Sequence, residues 1–491
     1  MRGEAGAIDS AGNIYVLGDD GNYHLHIIKY HSSGAIIWSR DMAITTAGTG
    51  LFAACDKIGN LYFSFEENLS TSRFNLTKYD STGNKKWTKY FEVGGYSYPE
   101  GIALDTSGNI LLTGYSELEV DYYFTIKFNT LGDTLWSASY RSNIGGGGSV
   151  PNSIFVDKPG NVYITGTSWV GQYNVDWVTI KYSNNGIRQW VTRYDGPFHL
   201  GGQANCVKAD DEGYCYVTGL VGGDTNHAVF GTIKYTSYGD SVWTRLYIPH
   251  LWLVYEEGID LIIDGNKNVY VIGGGADTNY AGALIQGAQL IKYDRNGNTL
   301  FNIIDTNAKD NPPNICEFNG NIYFPSYHGN IYTAGYNMTG NRIFYSYYPF
   351  VHVIYYSPYK LLPYRNNYLI VFGNGSDSSI TIKYSSGTGI VNSNQNAVSD
   401  YKLFQNFPNP FNPVTSIKYQ IPRSSNVKLI VYDILGKEIA KLVDQKQNAG
   451  SYETQFPDNQ YSNNQLPSGV YFYSLFIDGV RLDTKKLILL K

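Results

Sequence analysis

The chain has 491 residues and a formal net charge of −5, with 16% charged and 15% aromatic residues, 45 of them tyrosine. Charged residues fall well below the ~25% of an average soluble protein, while the Tyr, Gly and Asn surplus favours strands and tight turns, which excludes a helix-rich fold. The hydrophobic content of 43% excludes disorder, and the mild acidity does not suit a general nucleic-acid binder.

The first residues, MRGEAGAIDS, have no apolar core of a signal peptide. GEAGAIDSAG aligns instead with PEGIALDTSG further on, so the chain starts inside a repeat. The expectation is a truncated start, with a signal peptide missing upstream and further repeats there left open.

Self-similarity then dominates the chain. The phrase Asp-x-x-Gly-Asn-apolar-Tyr recurs as DSAGNIY from Asp9, DKIGNLY from Asp56, DTSGNIL from Asp105, DKPGNVY from Asp157, DDEGYCY from Asp210 and DGNKNVY from Asp264. Degenerate copies start at Glu317 and Tyr364, and the spacings run from 47 to 54 residues. A second phrase, IKY followed by Gly-x-x-x-Trp, ends at Trp38, Trp87, Trp136, Trp190 and Trp243, then at Phe301 and Phe344; the eighth copy keeps Ile382–Tyr384 and loses the aromatic. Both phrases read as tight turns between antiparallel strands, in which Asp accepts backbone N–H groups and Gly tolerates positive φ. A further strand precedes each Asp. Four strands per ~50 residues is the pattern of a β-propeller blade, so the expected fold is all-β: about eight four-stranded blades, with seven the other count. One Trp per blade suits packing between blades, and Trp38, Trp87, Trp136, Trp190, Trp243 and Phe301 are the expected docking residues.

The phrases resemble the tryptophan-docking repeats of quinoprotein propellers and, more closely, the SBBP-type bacterial β-propeller repeats. The resemblance covers about 380 residues and speaks for fold, since propellers host many activities.

Residues 388–400 are polar and break the repeat, so the expected division is 1–387 propeller, 388–400 linker and 401–491 second domain. The last part carries clustered prolines and then short alternating strands, which suits a small Ig-like β-sandwich. Its phrases are Asn406-Phe407-Pro408-Asn409-Pro410-Phe411-Asn412-Pro413, then Tyr432-Asp433 with the turn at Gly436, then Gly469-Val470-Tyr471, and the closing Lys485-Lys486 through Lys491. In order and content they resemble the type A C-terminal sorting domain of the type IX secretion system. That resemblance implies export across the outer membrane of a Bacteroidota-like bacterium, recognition by the secretion machinery, removal of the tail, and release or surface anchoring. Residues 1–400 hold 26 basic and 35 acidic residues and the remainder 11 and 7, so the tail is basic and the propeller acidic.

Strand alternation puts both tight-turn classes on one face and the long connections on the other. Function usually lives on such loops. Trp169, Tyr173, Trp177, His199, His227 and Trp252 belong to that face and are candidate binding residues, with packing over the blades as the ordinary alternative. Glu4, Glu100, Asn152 and Asn205 share the position five residues before the Asp and are candidates for an oxygen ring near the channel mouth, holding water or a cation; loop capping is the ordinary alternative.

Enzyme signals are thin. His24 and His26 put two imidazoles on one strand face without an identifiable third ligand, and DGNKN and DRNGN lack the twelfth-position Glu of a calcium loop. No GxSxG, HExxH or P-loop occurs. No cofactor and no catalytic or metal-binding residue is identified. Cys55, Cys206, Cys215 and Cys316 are too few for a disulfide scaffold, none forms a CxxC pair, and Cys55, Cys206 and Cys316 fall in first strands as core thiols. No apolar run reaches the ~18–20 residues of a membrane helix. The expected function is a secreted or cell-surface, non-enzymatic module that binds a glycan or protein. The alternative is a secreted polysaccharide- or peptide-acting hydrolase or lyase with carboxylates on the long-loop face.

Overall fold

The computed structural model describes residues 2–490 apart from 20–22, 45–49, 69–71, 92–93, 118–121, 143–147, 171–173, 223–227, 248–256, 279–283, 309–310, 328–330, 349–355, 366–367, 376–378, 386–400, 407, 413, 422–424, 448–449 and 458–465. The chain divides into two compact units, Met1–Phe344 with Phe350–Gly389, and Tyr345–Pro349 with Ile390–Lys491. No helix occurs among the described residues.

Eight consecutive antiparallel sheets, the blades, run over residues 2–43, 52–91, 96–140, 149–194, 202–247, 257–305, 316–348 and 356–385. The strands of each blade pair in chain order, so the strand before the Asp is innermost. Blade 2 carries a small extra strand, Glu66–Asn68, and blade 8 stops at three strands among the described residues.

The repeated phrases explain how a blade forms. In blade 1 the Asp9 Oδ1 accepts the N–H groups of Ala11 (3.0 Å) and Asn13 (2.9 Å), while Oδ2 accepts Asn13 Nδ2 (2.8 Å). The same pattern recurs at Asp56, Asp105, Asp157, Asp210 and Asp264, with the first N–H missing where Pro159 stands and the amide missing where Tyr214 replaces Asn. The lysine of IKY adds a buried cation: Lys127 Nζ lies 2.8 Å from Asp105 Oδ2, both side chains at most 4% exposed. Burial pushes the Asp105 carboxyl up, but hydrogen bonds from Lys127 and Asn109 outweigh it and hold the group below the usual carboxylate range.

The same lysines join neighbouring blades. Lys29, Lys78, Lys127, Lys181, Lys234 and Lys292 each donate to a carbonyl in the second tight turn of the next blade, for example Lys78 to Thr130 O at 2.9 Å. Trp38, Trp136, Trp190 and Trp243 donate Nε1–H to that same carbonyl, Trp136 to Asn184 O at 2.9 Å. Each ring covers the turn glycine of the next blade. A Cβ on Gly83 would lie 2.8 Å from Trp38, one on Gly186 2.6 Å from Trp136, and one on Gly340 3.0 Å from Phe301. Glycine is required there twice, by its positive φ and by the ring above it. Gly186→Ala is expected to cost about 1–2 kcal/mol from the backbone alone, and more because the ring must move. Gly34→Ala, at φ +93 with open space around it, is the control. Urea unfolding of both variants checks this: equal losses contradict the ring contact.

Gly34 is open because blade 8 has no aromatic in the docking position. Thr381 and Lys383 are exposed there, whereas Thr125, Thr179 and Thr232 and the equivalent lysines Lys127, Lys181 and Lys234 are buried. Blade 8 nevertheless packs on blade 1: Lys360 Nζ donates to Gly6 O (2.9 Å), Tyr364 Oη to Ser10 O (2.8 Å), and Lys383 Nζ to Ser32 O. A cluster of Ile14, Val16, Tyr368, Ile370 and Phe372 closes the ring.

The second unit is a sandwich of a three-stranded sheet and a four-stranded sheet. Alternating residues of Thr415–Ile421 and Ser425–Tyr432 enter one core with Phe411, Phe456, Tyr473, Leu475 and Leu489.

Candidate functional site

The eight innermost strands surround a cavity of about 540 Å3 to which every blade contributes. Most of this wall is small or apolar, including Ala5, Phe52, Gly101, Ile154 and Leu361. Four acidic or basic side chains interrupt it: Glu100, Lys208, Asp260 and Lys360.

The position five residues before the Asp has a structural definition. The innermost strands shift register between Gly3 and Ala5, Pro99 and Gly101, Pro151 and Ser153, Ala204 and Cys206, Gly258 and Asp260, and Pro358 and Lys360. Glu4, Glu100, Asn152 and Asn205 are therefore the extra residues of β-bulges, which re-aim a side chain out of the ladder. Asn152 Nδ2 donates to Ala204 O (2.9 Å), and Asn205 Nδ2 to Gly258 O (2.9 Å) and Glu257 Oε2 (3.1 Å). These asparagines latch one blade to the next through their amide N–H groups. Asn314 does the same from blade 7, giving and receiving 2.7 Å bonds with Leu361. The Glu4 side chain lies outside the described residues. Glu100 lines the cavity, and burial raises its carboxyl to about 7.

Asp260 is held from several sides. Its Oδ1 accepts Cys206 Sγ–H and the Leu261 N–H, both at 2.9 Å, and Oδ2 accepts the Ile315 N–H at 3.0 Å. Lys208 Nζ stands 3.9 Å from Oδ1. Burial pushes the Cys206 thiol up to about 12, so it remains a neutral donor. All four cysteines are free.

The other candidates separate. Trp177 is 1% exposed and donates Nε1–H to Leu220 O (2.6 Å), with its ring against Gly202 and Gly231. It is an inter-blade core residue with no free face, which corrects its place among ligand-stacking candidates. Trp169 is 40% exposed. His199 is exposed, at φ +55, and its Nδ1 pairs with Asp195. Tyr173, His227 and Trp252 lie outside the described residues. His26 Nδ1 is 2.6 Å from Asp41 Oδ1 on the adjacent strand, and the described residues contain no group of three or more metal-ligating side chains.

In the second unit the proline-rich entry is bound to the last strand. Asn409 Oδ1 accepts the Ile488 N–H (2.9 Å) and its Nδ2 donates to Lys486 O (3.2 Å); Phe411 bridges Leu489. Asn406 is 2% exposed and donates Nδ2–H to Pro408 O (3.1 Å) and Thr415 Oγ1 (2.9 Å). Asp433 closes its turn by accepting the N–H groups of Leu435 and Lys437 (2.9 and 3.0 Å), with Gly436 at φ +82. That turn exposes Ile434 and Leu435. Asn406→Ala removes two hydrogen bonds of a buried amide and leaves the Pro408 carbonyl with the Thr415 hydroxyl alone (2.8 Å), and is expected to cost about 1–3 kcal/mol. A melt resolved for this unit checks it, and an unchanged transition would show that the bonds carry no weight.

A ring of four-stranded blades with a central cavity defines a β-propeller. Residues 86–117 match the model of the SBBP beta-propeller repeat. Residues 405–490 match the Secretion system C-terminal sorting domain, so the chain carries a type IX secretion tail and is a secreted or cell-surface protein. Among solved structures, Sqt1 from Chaetomium thermophilum superposes with a TM-score of 0.53 at 9% identity, over 79% of this chain and 96% of that one. The Dos1 propeller gives 0.50 at 10% identity, over 79% and 93%. At these identities the likeness is one of fold. No curated protein matches.

Proposed function

We propose that this protein is a non-enzymatic binding module for a glycan or an extracellular protein, delivered by its sorting tail and binding at the propeller channel and its long-loop rim. The observation that carries this reading is the cavity of about 540 Å3, whose volume falls in the usual ~300–1,000 Å3 range of ligand pockets and whose apolar wall holds a few convergent polar groups. Asp260 already accepts three hydrogen bonds, from Cys206, Leu261 and Ile315, which suits a fixed structural charge better than a base.

One observation favours the hydrolase or lyase alternative. A carboxyl raised to about 7 in a cavity, as at Glu100, is suited to general acid–base work.

The full chain applied to an array of glycans and extracellular proteins is expected to retain specific ligands without turning them over. Silence on the array, together with polysaccharide cleavage, would replace the binding module with the enzyme.

A further inference from the structure

The charged groups of the channel are unevenly paired. Asp260 receives three hydrogen bonds from Cys206, Leu261 and Ile315, so Lys208 reaches it only at 3.9 Å and keeps about a third of its side chain (32%) exposed. Lys360 enters the same cavity from blade 8. It donates one hydrogen bond, to Gly6 O at 2.9 Å, and pairs with no carboxylate among the described residues. An ammonium has three donors, so two remain. Burial first, and the charge of Lys208 second, pull Lys360 down to about 8. The two cations therefore feel each other across the channel, and Lys360 is still mostly charged at neutral pH. Two ammonium groups thus line one cavity, and among the described residues only Lys208 comes within 4 Å of a carboxylate, an arrangement that suits an anionic ligand group.

We propose that the propeller channel binds a carboxylate group of its ligand between the ammonium groups of Lys208 and Lys360, an inference that rests on the channel being the binding site. Lysines are point charges that accept a carboxylate without demanding the forked geometry an arginine imposes. Asp260 offsets one of the two cations, and Glu100, raised by burial to about 7, offsets the other only in part. Phe52 and Tyr359 supply apolar wall for the body of the ligand.

The shared chemistry is a carboxylate, whether from an acidic sugar or an acidic peptide side chain. Titration calorimetry on the full chain uses galacturonate, N-acetylglutamate and, as the neutral control, galactose. At least one carboxylate is expected to bind and galactose is not; Lys360→Met is expected to weaken binding tenfold or more. Binding of galacturonate alone identifies the sugar source, and of N-acetylglutamate alone the peptide source. Failure of both probes, or equal affinity in Lys360→Met, overturns the proposal. Lys360→Met removes an enclosed cation and should fold; if it does not, Lys208→Gln reads the same loss. A glycan array that yields only neutral ligands sinks this site and leaves the binding-module reading intact, whereas polysaccharide turnover sinks that reading instead.

Discussion

Trp243→Ala is expected to lower the stability of the propeller by about 3–5 kcal/mol, the usual range for emptying a buried tryptophan site. Trp243 is 6% exposed. Its ring lies over Gly297 of blade 6, where a Cβ would come within 2.8 Å, and makes an edge contact with Tyr216 and a tilted one with Tyr293 at centroid distances of 6.3 and 5.8 Å. Its Nε1–H donates to Arg295 O at 3.2 Å, the carbonyl that also accepts Lys234 Nζ at 3.1 Å. Removing the indole opens a cavity between two blades and takes away one of the two donors. Trp243→Phe should lose less, because Phe301 fills the corresponding place over Gly340 in the next interface. Guanidinium unfolding of the three proteins gives the ranking. An alanine variant as stable as the wild type would mean that the aromatic series is not what holds the blades together.

The second large effect is a dependence on pH. Glu100 carries a carboxyl raised by burial to about 7 from an ordinary value of 4.5. The folded protein therefore binds more protons than the unfolded chain between those values. The stability contributed by the neutral acid is complete below about pH 4.5 and is lost as pH rises through about 7. The gap corresponds to at most about 3 kcal/mol, discounted for the part of the side chain still open to the channel. Glu100→Gln should remove this segment of the pH profile and be the more stable protein at pH 8, with little difference at pH 4. The bulge pattern points the same way: Asn152 and Asn205 use side-chain amides at this position as donors to the next blade, which an ionised carboxylate cannot do. Thermal melts of both proteins from pH 4 to 9 are the check. Parallel profiles would show that Glu100 is solvated in the channel.

Much of the propeller was legible because it is written repeatedly. The Asp, Asn and Gly of each first turn, the Lys of IKY and the Trp of the second turn recur at fixed offsets, and the recurrence corresponds to hydrogen bonds and ring contacts repeated in most blades that keep the phrases. The loss of the aromatic in the eighth copy foretold the open Gly34. The shared position of Glu4, Glu100, Asn152 and Asn205 was visible too, but its meaning was not. A β-bulge is a shift in backbone pairing that no composition or spacing announces, and only the register shows that Asn152 and Asn205 are aimed at the next blade. Trp177 was misplaced because its strand, Asn174–Tyr182, runs further toward the loop face than the repeat suggested, which carries the residue into the inter-blade core.

The channel charges were missed for the opposite reason. Lys208, Asp260 and Lys360 do not recur, so a search by repeat passes over them. The signal was present in NCVKAD, GIDLIID and YKLLPY, where a charge interrupts a strand that is otherwise small or apolar. In a repeat fold the architecture lies in what recurs and the site lies in what departs from it.

The most direct measurement is an array of glycans and extracellular proteins probed with the full chain, its Lys360→Met variant and its Glu100→Gln variant, with each retained ligand then assayed for turnover. The expected result is a small set of ligands held intact, weakened by Lys360→Met and still bound by Glu100→Gln. Turnover of a polysaccharide that disappears in Glu100→Gln, with binding indifferent to Lys360, would contradict it.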